Sequence, residues 1–362
     1  MTYQSVNLPI TAAPIALRIT PGSMIHNGSA RFGRAACAYV PDEPAWTPCA
    51  RIEAAKEVNV RIGVSLSERA GPDTLDKLTD DLRRVADDGF ASAWMSNIFG
   101  LDALTALAVA GSRVPGIALG TAVVPTYPRH PAALAQQART VALATGGRLT
   151  LGIGLSHKVV IEDMFGYDFD RPLRHMDEYL SALLPLLAGE PAGFTGETLR
   201  AHVSLSVPNE ERVPLVVAAL GPRMLRLVGK RADGTVLWMT GPATVRDHIA
   251  PTITAAAAAA GRPSPRVVCV LPVAVTDDME TAHARAAKVF QIYGTLPSYR
   301  AMMDREGADG PADLAIIGNE DTVSARLEEL SAAGVTEFVA GEFMPRDDRT
   351  RTFLKSAAAA RA

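Results

Sequence analysis

Cysteine is scarce in this chain of 362 residues, which contains only Cys37, Cys49 and Cys269. The number is odd and the spacing fits no metal site, so the sequence argues against a disulfide scaffold and favours a reducing cytoplasm. No uninterrupted apolar run is long enough to span a bilayer. The N-terminus also lacks the basic-then-apolar order of a secretory signal. We therefore expect a soluble cytoplasmic protein without a membrane partner.

An excess of charge of one sign is also missing. The chain has 36 Lys and Arg against 39 Asp and Glu, and its net charge is -3. Proteins that bind nucleic acid present a basic surface, so no nucleic-acid partner is expected. Apolar residues make up 48% of the chain, which is enough for a large core. The length fits a single α/β barrel, a fold that commonly takes about 250 residues or more.

Residues 1–58 lack any sustained period of 2 or 3.6 residues. Prolines are scattered through them, at Pro9, Pro14, Pro21, Pro41, Pro44 and Pro48. This pattern predicts a disordered or loosely attached extension, followed by one folded domain at residues 59–362. The alternative hypothesis is that the start codon was assigned too early and that synthesis begins near Val58 or Val60.

Eight apolar segments alternate with helical patterns after the extension. They are residues 60–66, 93–97, 117–124, 146–157, 214–220, 235–239, 267–275 and 337–341. Strands that are apolar throughout are typical of parallel sheets covered by helices, and eight is the number that closes a barrel. The prediction is a (β/α)8 TIM barrel. A doubly wound sheet is the alternative, but no Gly-x-Gly-x-x-Gly follows the first strand.

Two insertions into this barrel are expected. Asp170 is predicted to cap the helix after strand four, whose first turn carries Pro172. Residues 194–208 alternate weakly and predict a hairpin after that helix. Residues 279–334 predict a broken helical insertion between strands seven and eight.

The fourth strand lies in residues 146–157, GGRLTLGIGLSH, and ends in polar groups. Gly152 and Gly154 leave one face of the strand without side chains, so a flat group can lie against the backbone. Ser156 and His157 are the first side chains beyond it that can hydrogen-bond. The alternative is a barrel strand whose small residues only relieve tight packing.

The active site of such a barrel lies at the carboxyl ends of its strands. Those ends collect Asn97, residues 122–124, Ser156, His157, residues 218–223 and residues 239–241. They contain few carboxylates and no metal cluster, and neither paired acids for glycoside hydrolysis nor a Gly-x-Ser-x-Gly elbow is present. This composition favours an organic cofactor that carries the reaction itself, with no metal.

The junction at residues 219–223, ALGPR, joins strand five to a helix. Free backbone N–H groups and the helix dipole can hold a phosphate there, with Arg223 adding a charge. The alternative is an ordinary turn, in which Gly221 and Pro222 only end the strand and begin the helix. The loop at residues 127–131 is either a contact for an anionic tail or simply a rigid loop.

Three motifs carry a resemblance to a known family. They are GTAVVP at 120–125, RLTLGIG at 148–154 and AALGP at 218–222. In this order and register they resemble the luciferase-like monooxygenase superfamily, from about residue 60 to the C-terminus. Three further motifs resemble its actinobacterial branch, which uses the deazaflavin coenzyme F420. These are GLSHK at 154–158, MFG at 164–166 and FDRP at 169–172.

The resemblance implies a TIM barrel that holds a flavin or deazaflavin in its mouth. It implies a non-proline cis peptide at Ala122–Val123 behind the ring, a phosphate at the end of strand five, and a ring lined by the end of strand two. Together with the strand-end argument, it gives twelve candidate cofactor contacts. They are Ser96, Asn97, Ala122, Val123, Gly154, Ser156, His157, Ala218, Ala219, Gly221, Pro222 and Arg223.

One departure from the family pattern bears on catalysis. Relatives such as the deazaflavin-dependent glucose-6-phosphate dehydrogenase carry Asp-His at the end of strand two, where this chain has Asn97-Ile98. Their acidic residue after strand four falls near His157. A sugar-phosphate dehydrogenase is therefore disfavoured, and His157 becomes the candidate catalytic residue by position.

Three functions follow from the resemblance. The leading hypothesis is a coenzyme F420-dependent oxidoreductase that transfers hydride to or from a small organic substrate. The first alternative is an FMN-dependent monooxygenase that needs a separate reductase as partner. The second is a catalytically silent flavin- or deazaflavin-binding protein. The resemblance leaves the substrate, a homodimer and a cofactor-reducing partner enzyme open.

Overall fold

The computed structural model of the protein describes residues 60–66, 74–208, 211–345 and 347–360. The prediction of an irregular extension at residues 1–58 lies outside these ranges and stays a prediction. Within them, none of the helices combines the length and apolar character needed to cross a membrane.

The strands and helices alternate along the described chain. The strands are β1 (Arg61–Ser65), β2 (Ser92–Met95), β3 (Ala118–Thr121), β4 (Val124–Pro125), β5 (Leu149–Gly154), β6 (Ala192–Thr195), β7 (Arg200–Val203), β8 (Leu215–Val217), β9 (Gly234–Trp238), β10 (Arg266–Val275), β11 (Ile316–Gly318) and β12 (Glu337–Glu342). The α-helices are α1 (Leu75–Asp87), α2 (Ala103–Arg113), α3 (Pro131–Ala144), α4 (Pro172–Leu187), α5 (Pro222–Arg231), α6 (Pro242–Thr244), α7 (Ala250–Ala259), α8 (Met279–Phe290), α9 (Pro297–Glu306), α10 (Glu320–Ala332) and α11 (Asp348–Ala359). Val159–Met164 and Val245–Ile249 are π-helical, and Gln291–Thr295 and Pro311–Leu314 are 3₁₀-helical.

Eight of the strands close into a parallel barrel, in the order β1, β2, β3, β5, β8, β9, β10, β12 and back to β1. The predicted TIM barrel is therefore confirmed. The helices cover the outside, where the side chains that point away from the barrel axis form the main apolar core. A smaller cluster that includes Trp94, Val216, Val236, Val268 and Val339 fills the barrel interior.

The third barrel strand is interrupted, whereas the sequence predicted one strand over residues 117–124. β3 ends at Thr121, and β4 resumes at Val124 and pairs with β5. Between them, the Ala122–Val123 peptide bond is cis. This is the bond that the family resemblance implied.

Both predicted insertions are present, with differences in detail. The hairpin of β6 and β7 follows α4 but begins at Ala192 rather than at residue 194. The insertion between β10 and β12 contains helices and also β11, which pairs in parallel with β10 outside the closed ring. The sequence missed β11 because a run of three residues is too short to show a period.

The prediction that Asp170 caps α4 is wrong. Pro172 occupies the first turn, so the preceding residue, Arg171, is the N-cap, and its side chain accepts no capping hydrogen bond. The Asp170 backbone N–H instead donates to Asp168 Oδ1 at 2.7 Å, in the turn before the helix.

A buried polar network closes the amino-terminal end of the barrel. Glu337 Oε1 accepts from Ser92 Oγ at 2.5 Å and from Trp94 Nε1 at 2.8 Å. Its Oε2 accepts from Arg61 and Arg266, each at 2.9 Å. The Glu337 side chain is 1% exposed, whereas those of Arg61 and Arg266 are 52% and 32% exposed. Such a carboxylate is stable only because every acceptor is satisfied.

We expect Glu337→Gln to lower the free energy of unfolding at pH 7 by about 3 kcal/mol, because it removes the charge that both arginines neutralise. Burial alone would raise the pKa of Glu337. The Ser92 hydrogen bond and the charges of Arg61 and Arg266 outweigh burial and hold that pKa below its usual value. The contribution is therefore complete above the unfolded-state pKa and is lost as the pH falls through the folded-state pKa.

Urea unfolding at pH 7 and at lower pH tests this, with Asp80→Asn as control. Asp80 pairs with Arg83 at 2.8 Å on the exposed face of α1, so its substitution should cost less than about 1 kcal/mol. Equal unfolding free energies for wild type and Glu337→Gln at pH 7 would show that the network does not stabilise the barrel.

Candidate active site

Small uncharged residues line the open, carboxyl-terminal end of the barrel interior. Side chains alternate along a strand, and Ser92 and Trp94 point inward, so Ser96 at the end of β2 also lies on the interior side. The same argument places small residues at the ends of four other barrel strands. We call these five residues the floor: Ser65, Ser96, Ala122, Gly154 and Ala218.

Gly154 lies where neighbouring strand ends come closest. A Cβ atom added at Gly154 would lie 2.6 Å from Val123 Cγ2 and 3.3 Å from Ala218 Cβ. Gly152 lies two residues earlier, on the same face of the strand. A Cβ atom added there would lie 1.8 Å from the Thr121 carbonyl oxygen. Both glycines therefore lie where packing leaves no room for a side chain, as the alternative interpretation expected, and a flat group against Gly154 stays a prediction.

The chain turns sharply between the floor and His157. Ser156 has a φ of 63°, a left-handed conformation that non-glycine residues rarely adopt. The His157 carbonyl then accepts from the N–H groups of Val160 and Ile161, at 2.9 and 3.0 Å, and begins the π-helical turn. Residues held in such conformations are concentrated at functional sites, so the turn points to His157 as a positioned side chain.

The imidazole of His157 is half-buried at the edge of the floor. Its ring centre lies 5.5 Å from that of Tyr299, which comes from the insertion before β12. Burial lowers the pKa of His157 below 6.5, because it disfavours the charged form. His157 is therefore predominantly neutral at pH 7 and suited to accept a proton.

Aromatic side chains form one side of the mouth, and we call them the wall: Trp238, Phe290, Tyr293 and Tyr299. The Trp238 ring meets those of Phe290 and Tyr293 edge-on, at 5.7 and 5.5 Å. Tyr293 in turn meets Tyr299 edge-on at 5.3 Å. The sequence analysis missed the wall, because three of its members lie in an insertion whose composition specifies no site. Trp238 ends the sixth barrel strand, β9, and this position was the signal available in the sequence.

The start of α5 lies at the same end of the barrel. Gly221 is its N-cap, with no side-chain cap, and Gly221, Pro222 and Arg223 are all exposed. A Cβ added at Gly221 would meet no atom within 4 Å, so open space adjoins the backbone there. The first N–H groups of a helix have no partner within it and attract anions. The predicted phosphate site is therefore sterically accessible.

A buried histidine that the sequence analysis missed supports this junction. His248 lies in the π-helical segment after α6, and its Nε2–H donates to the Leu220 carbonyl at 2.8 Å. Its partner is a backbone group, so no sequence pattern connects the two residues. The bond fixes the loop immediately before Gly221.

We compared the sequence with known protein families. Residues 58–337 match the family described as luciferase-like monooxygenase. The chain belongs to this family. The 5,10-methylenetetrahydromethanopterin reductase of Methanolobus tindarius is 26% identical over 294 residues, which are 73% of this chain and 90% of that protein.

Two solved structures show the same fold at low sequence identity. One is an F420-dependent secondary alcohol dehydrogenase in complex with an F420–acetone adduct. It has a TM-score of 0.72 and 17% identity, over 84% of this chain and 99% of that one. The other is the oxygenating constituent of 3,6-diketocamphane monooxygenase from Pseudomonas putida in complex with FMN. It has a TM-score of 0.65 and 18% identity, over 82% and 96% of the two chains.

The luciferase-like barrel does not bring all of the predicted contacts to the floor. Asn97 Oδ1 accepts from the Ala103 backbone N–H at 2.9 Å, so this side chain helps to start α2. Ala219 is buried in the outer core, whereas Ala218 faces the barrel interior. Ser96, Ala122, Val123, Gly154 and Ala218 lie together. Ser156 and His157 lie at their edge, and Gly221 to Arg223 begin α5.

A cavity of about 530 Å³ is lined by the loop that the sequence singled out, and none of the floor residues lines it. Thr126 lines it and donates its backbone N–H to the Gly154 carbonyl at 2.9 Å. Tyr127 stacks on His175 at 3.8 Å between ring centres, and Thr126 Oγ1 lies 2.9 Å from His175 Nε2. The Arg129 guanidinium is paired with Asp102, so this loop is held rigidly.

His175 should stay neutral far into the acid range. Burial lowers its pKa from 6.5 to about 4, and the charge of Glu178 opposes this shift only in part. The folded protein therefore binds fewer protons than the unfolded chain between these pH values. Stability is complete above pH 6.5 and is lost as the pH falls toward 4.

We expect His175→Phe, which keeps a ring on Tyr127, to reduce this acid-dependent loss of stability by about 2 kcal/mol, allowing for partial solvent exposure. Unfolding free energies at several pH values test the difference in slope. NMR titration of the wild-type imidazole gives the pKa directly, and a value near 6.5 would contradict the assignment.

Proposed function

We propose that this protein is an oxidoreductase that binds the deazaflavin coenzyme F420 on the floor and transfers hydride between it and a small organic substrate. The observation that carries the proposal is the floor itself. It consists of small uncharged residues, of which Ser65, Ser96, Ala122 and Ala218 are half-exposed, and it lies at the same end of the barrel as the exposed start of α5. Relatives and structural neighbours that are named as F420-dependent support the choice of coenzyme.

The residues present fit such a coenzyme. A flat ring system needs a surface without protruding side chains, and the half-exposed Ala122 and Ala218 offer one. An anionic phosphate needs N–H donors and an open approach, which Gly221 provides, and Arg223 adds a positive charge. When bound, the coenzyme would supply the hydride-transfer chemistry that protein side chains lack.

The chain's own residues would handle the proton. Oxidation of an alcohol removes a hydride from carbon and a proton from oxygen, and the neutral His157 imidazole is suited to accept that proton. In the reverse direction the same nitrogen returns it. The wall excludes water from this side of the mouth, which strengthens hydrogen bonds made there.

A second candidate is an FMN-dependent monooxygenase, favoured by the structural neighbour that contains FMN. A surface of small residues accepts either ring system, so the floor alone does not distinguish them. Such an enzyme would also require a separate reductase as partner.

Calorimetric titration of the full chain with each coenzyme tests the proposal. We expect micromolar or tighter binding of coenzyme F420 and weaker binding of FMN. The reverse order would favour the monooxygenase. Stopped-flow measurements with a panel of alcohols and ketones then separate an enzyme from a silent binding protein, since binding without any turnover would indicate the latter.

A further inference from the structure

Trp238 carries a buried hydrogen-bond donor without a partner among the residues that the structure describes. The indole N–H of a buried tryptophan usually finds an acceptor, and leaving such a donor unsatisfied costs about 1–3 kcal/mol. Trp94, which also points into the barrel, shows the usual arrangement. Its Nε1 lies 2.9 Å from Ser92 Oγ and 2.8 Å from Glu337 Oε1.

The two tryptophans lie at opposite ends of the barrel interior. Trp94 belongs to the closed, amino-terminal network. Trp238 is the last residue of β9 and follows Val236 on the interior face. It therefore lies level with the floor. The unsatisfied donor occurs at the end where a ligand would enter.

The surroundings of Trp238 define what kind of ligand fits. Phe290 and Tyr293 flank its ring edge-on, and Tyr299 extends the aromatic surface toward His157. None of the wall residues carries a charge, and neither do the floor residues. Burial raises the pKa of Tyr299, so its hydroxyl stays neutral. A charged substrate would lose its hydration here without gaining an ionic partner from either surface.

We propose that the wall, beside the coenzyme on the floor, forms a subsite for a neutral, flat substrate with a carbonyl or hydroxyl oxygen, and that Trp238 Nε1–H donates the hydrogen bond that holds this oxygen. The inference rests on the proposed function and specifies its substrate class. Surrounding side chains shield Nε1 from solvent, so the substrate reaches it by displacing a wall ring. Tyr293, on the 3₁₀-helical segment Gln291–Thr295, is half-exposed and contacts the Trp238 ring.

NMR of the indole N–H groups tests the hydrogen bond directly. The chain contains three tryptophans, Trp46, Trp94 and Trp238, so ¹⁵N-indole labelling gives few signals. Trp238→Phe, which keeps an aromatic ring and removes the donor, assigns the signal of interest. Acetophenone is the neutral probe, and benzoate is the charged control of similar size. Both are added to the full chain loaded with coenzyme F420.

Acetophenone is expected to move the Trp238 indole proton downfield and to leave the Trp94 signal unchanged, while benzoate moves neither. Trp238→Phe should weaken acetophenone binding by about tenfold, the value of one lost hydrogen bond. Equal binding of benzoate, or acetophenone binding that leaves the Trp238 signal and the variant's affinity unchanged, would overturn the inference. A separate titration with coenzyme F420 isolates failure of the proposed function, because it involves neither probe.

Discussion

Gly221→Val is expected to weaken coenzyme binding by about 100-fold or more while leaving thermal stability unchanged. The phosphate must approach the backbone N–H groups at the start of α5, and two methyl groups at Gly221 would occupy that approach. The fold should tolerate the change. Gly221 has a φ of -79°, which valine adopts readily, and an added Cβ would meet no atom within 4 Å.

Gly193→Val is the matched control for this test. Gly193 also has open space around an added Cβ, but it lies on the hairpin strand β6. It should change neither coenzyme affinity nor melting temperature. Titration calorimetry and thermal melts of both variants give the result. Normal coenzyme affinity in Gly221→Val would place the phosphate elsewhere on the barrel.

The barrel, and the placing of several candidate residues at its carboxyl-terminal end, were predictable because they depend on local patterns. Apolar runs separated by helical patterns predicted eight strands, and the predicted ends of these strands lie close to the observed ends. Gly221 was predicted to hold the phosphate because backbone N–H groups are free at a strand-to-helix junction, and this contact stays a prediction. Location of the cis peptide at Ala122–Val123 came from the family motif, since the residues Ala and Val do not themselves favour such a bond.

The features that the sequence did not predict depend on contacts that sequence patterns do not show, most of them between segments distant in the chain. In the sequence, Trp238 looks like an ordinary strand residue. It becomes part of the wall only because the insertion that carries Tyr293 and Tyr299 packs next to it. His248 acts on the Leu220 carbonyl, a backbone group that has no sequence signature. Asn97 was predicted to line the ring, but its side-chain oxygen accepts from Ala103, a local bond that competes with any contact to a ligand.

The two ends of the barrel interior divide stability from function. The amino-terminal end holds a carboxylate, Glu337, whose acceptors are satisfied by four donors. At the carboxyl-terminal end, Ala122 and Ala218 are half-exposed, and the Trp238 donor has no partner among the described residues. Barrel enzymes place catalytic residues at the latter end and stabilising ones at the former. Glu337 has a hydrogen-bond donor for each carboxylate oxygen, whereas the Trp238 donor has no acceptor in the part of the chain that the structure describes. This difference between the two ends indicates the active end without reference to any relative.

His157→Ala is expected to slow the chemical step by about 10²- to 10⁴-fold, the usual contribution of a general acid or base. Coenzyme affinity should stay within about threefold of wild type, because the floor and the start of α5 remain intact. Single-turnover reduction of bound coenzyme F420 by an alcohol substrate measures the step directly. His157→Gln, which keeps a polar side chain without a titrating nitrogen, should be equally slow.

The pH dependence separates a proton acceptor from a residue that only packs against Tyr299. A base must be deprotonated, and burial puts the pKa of His157 below 6.5. In wild type the oxidation rate should be constant above that value and fall as the pH drops through the pKa. His157→Ala should lose this inflection together with the rate. A variant that retains the wild-type rate and pH profile would remove His157 from the mechanism, whereas a loss of affinity or stability at unchanged rate would assign it a positioning role.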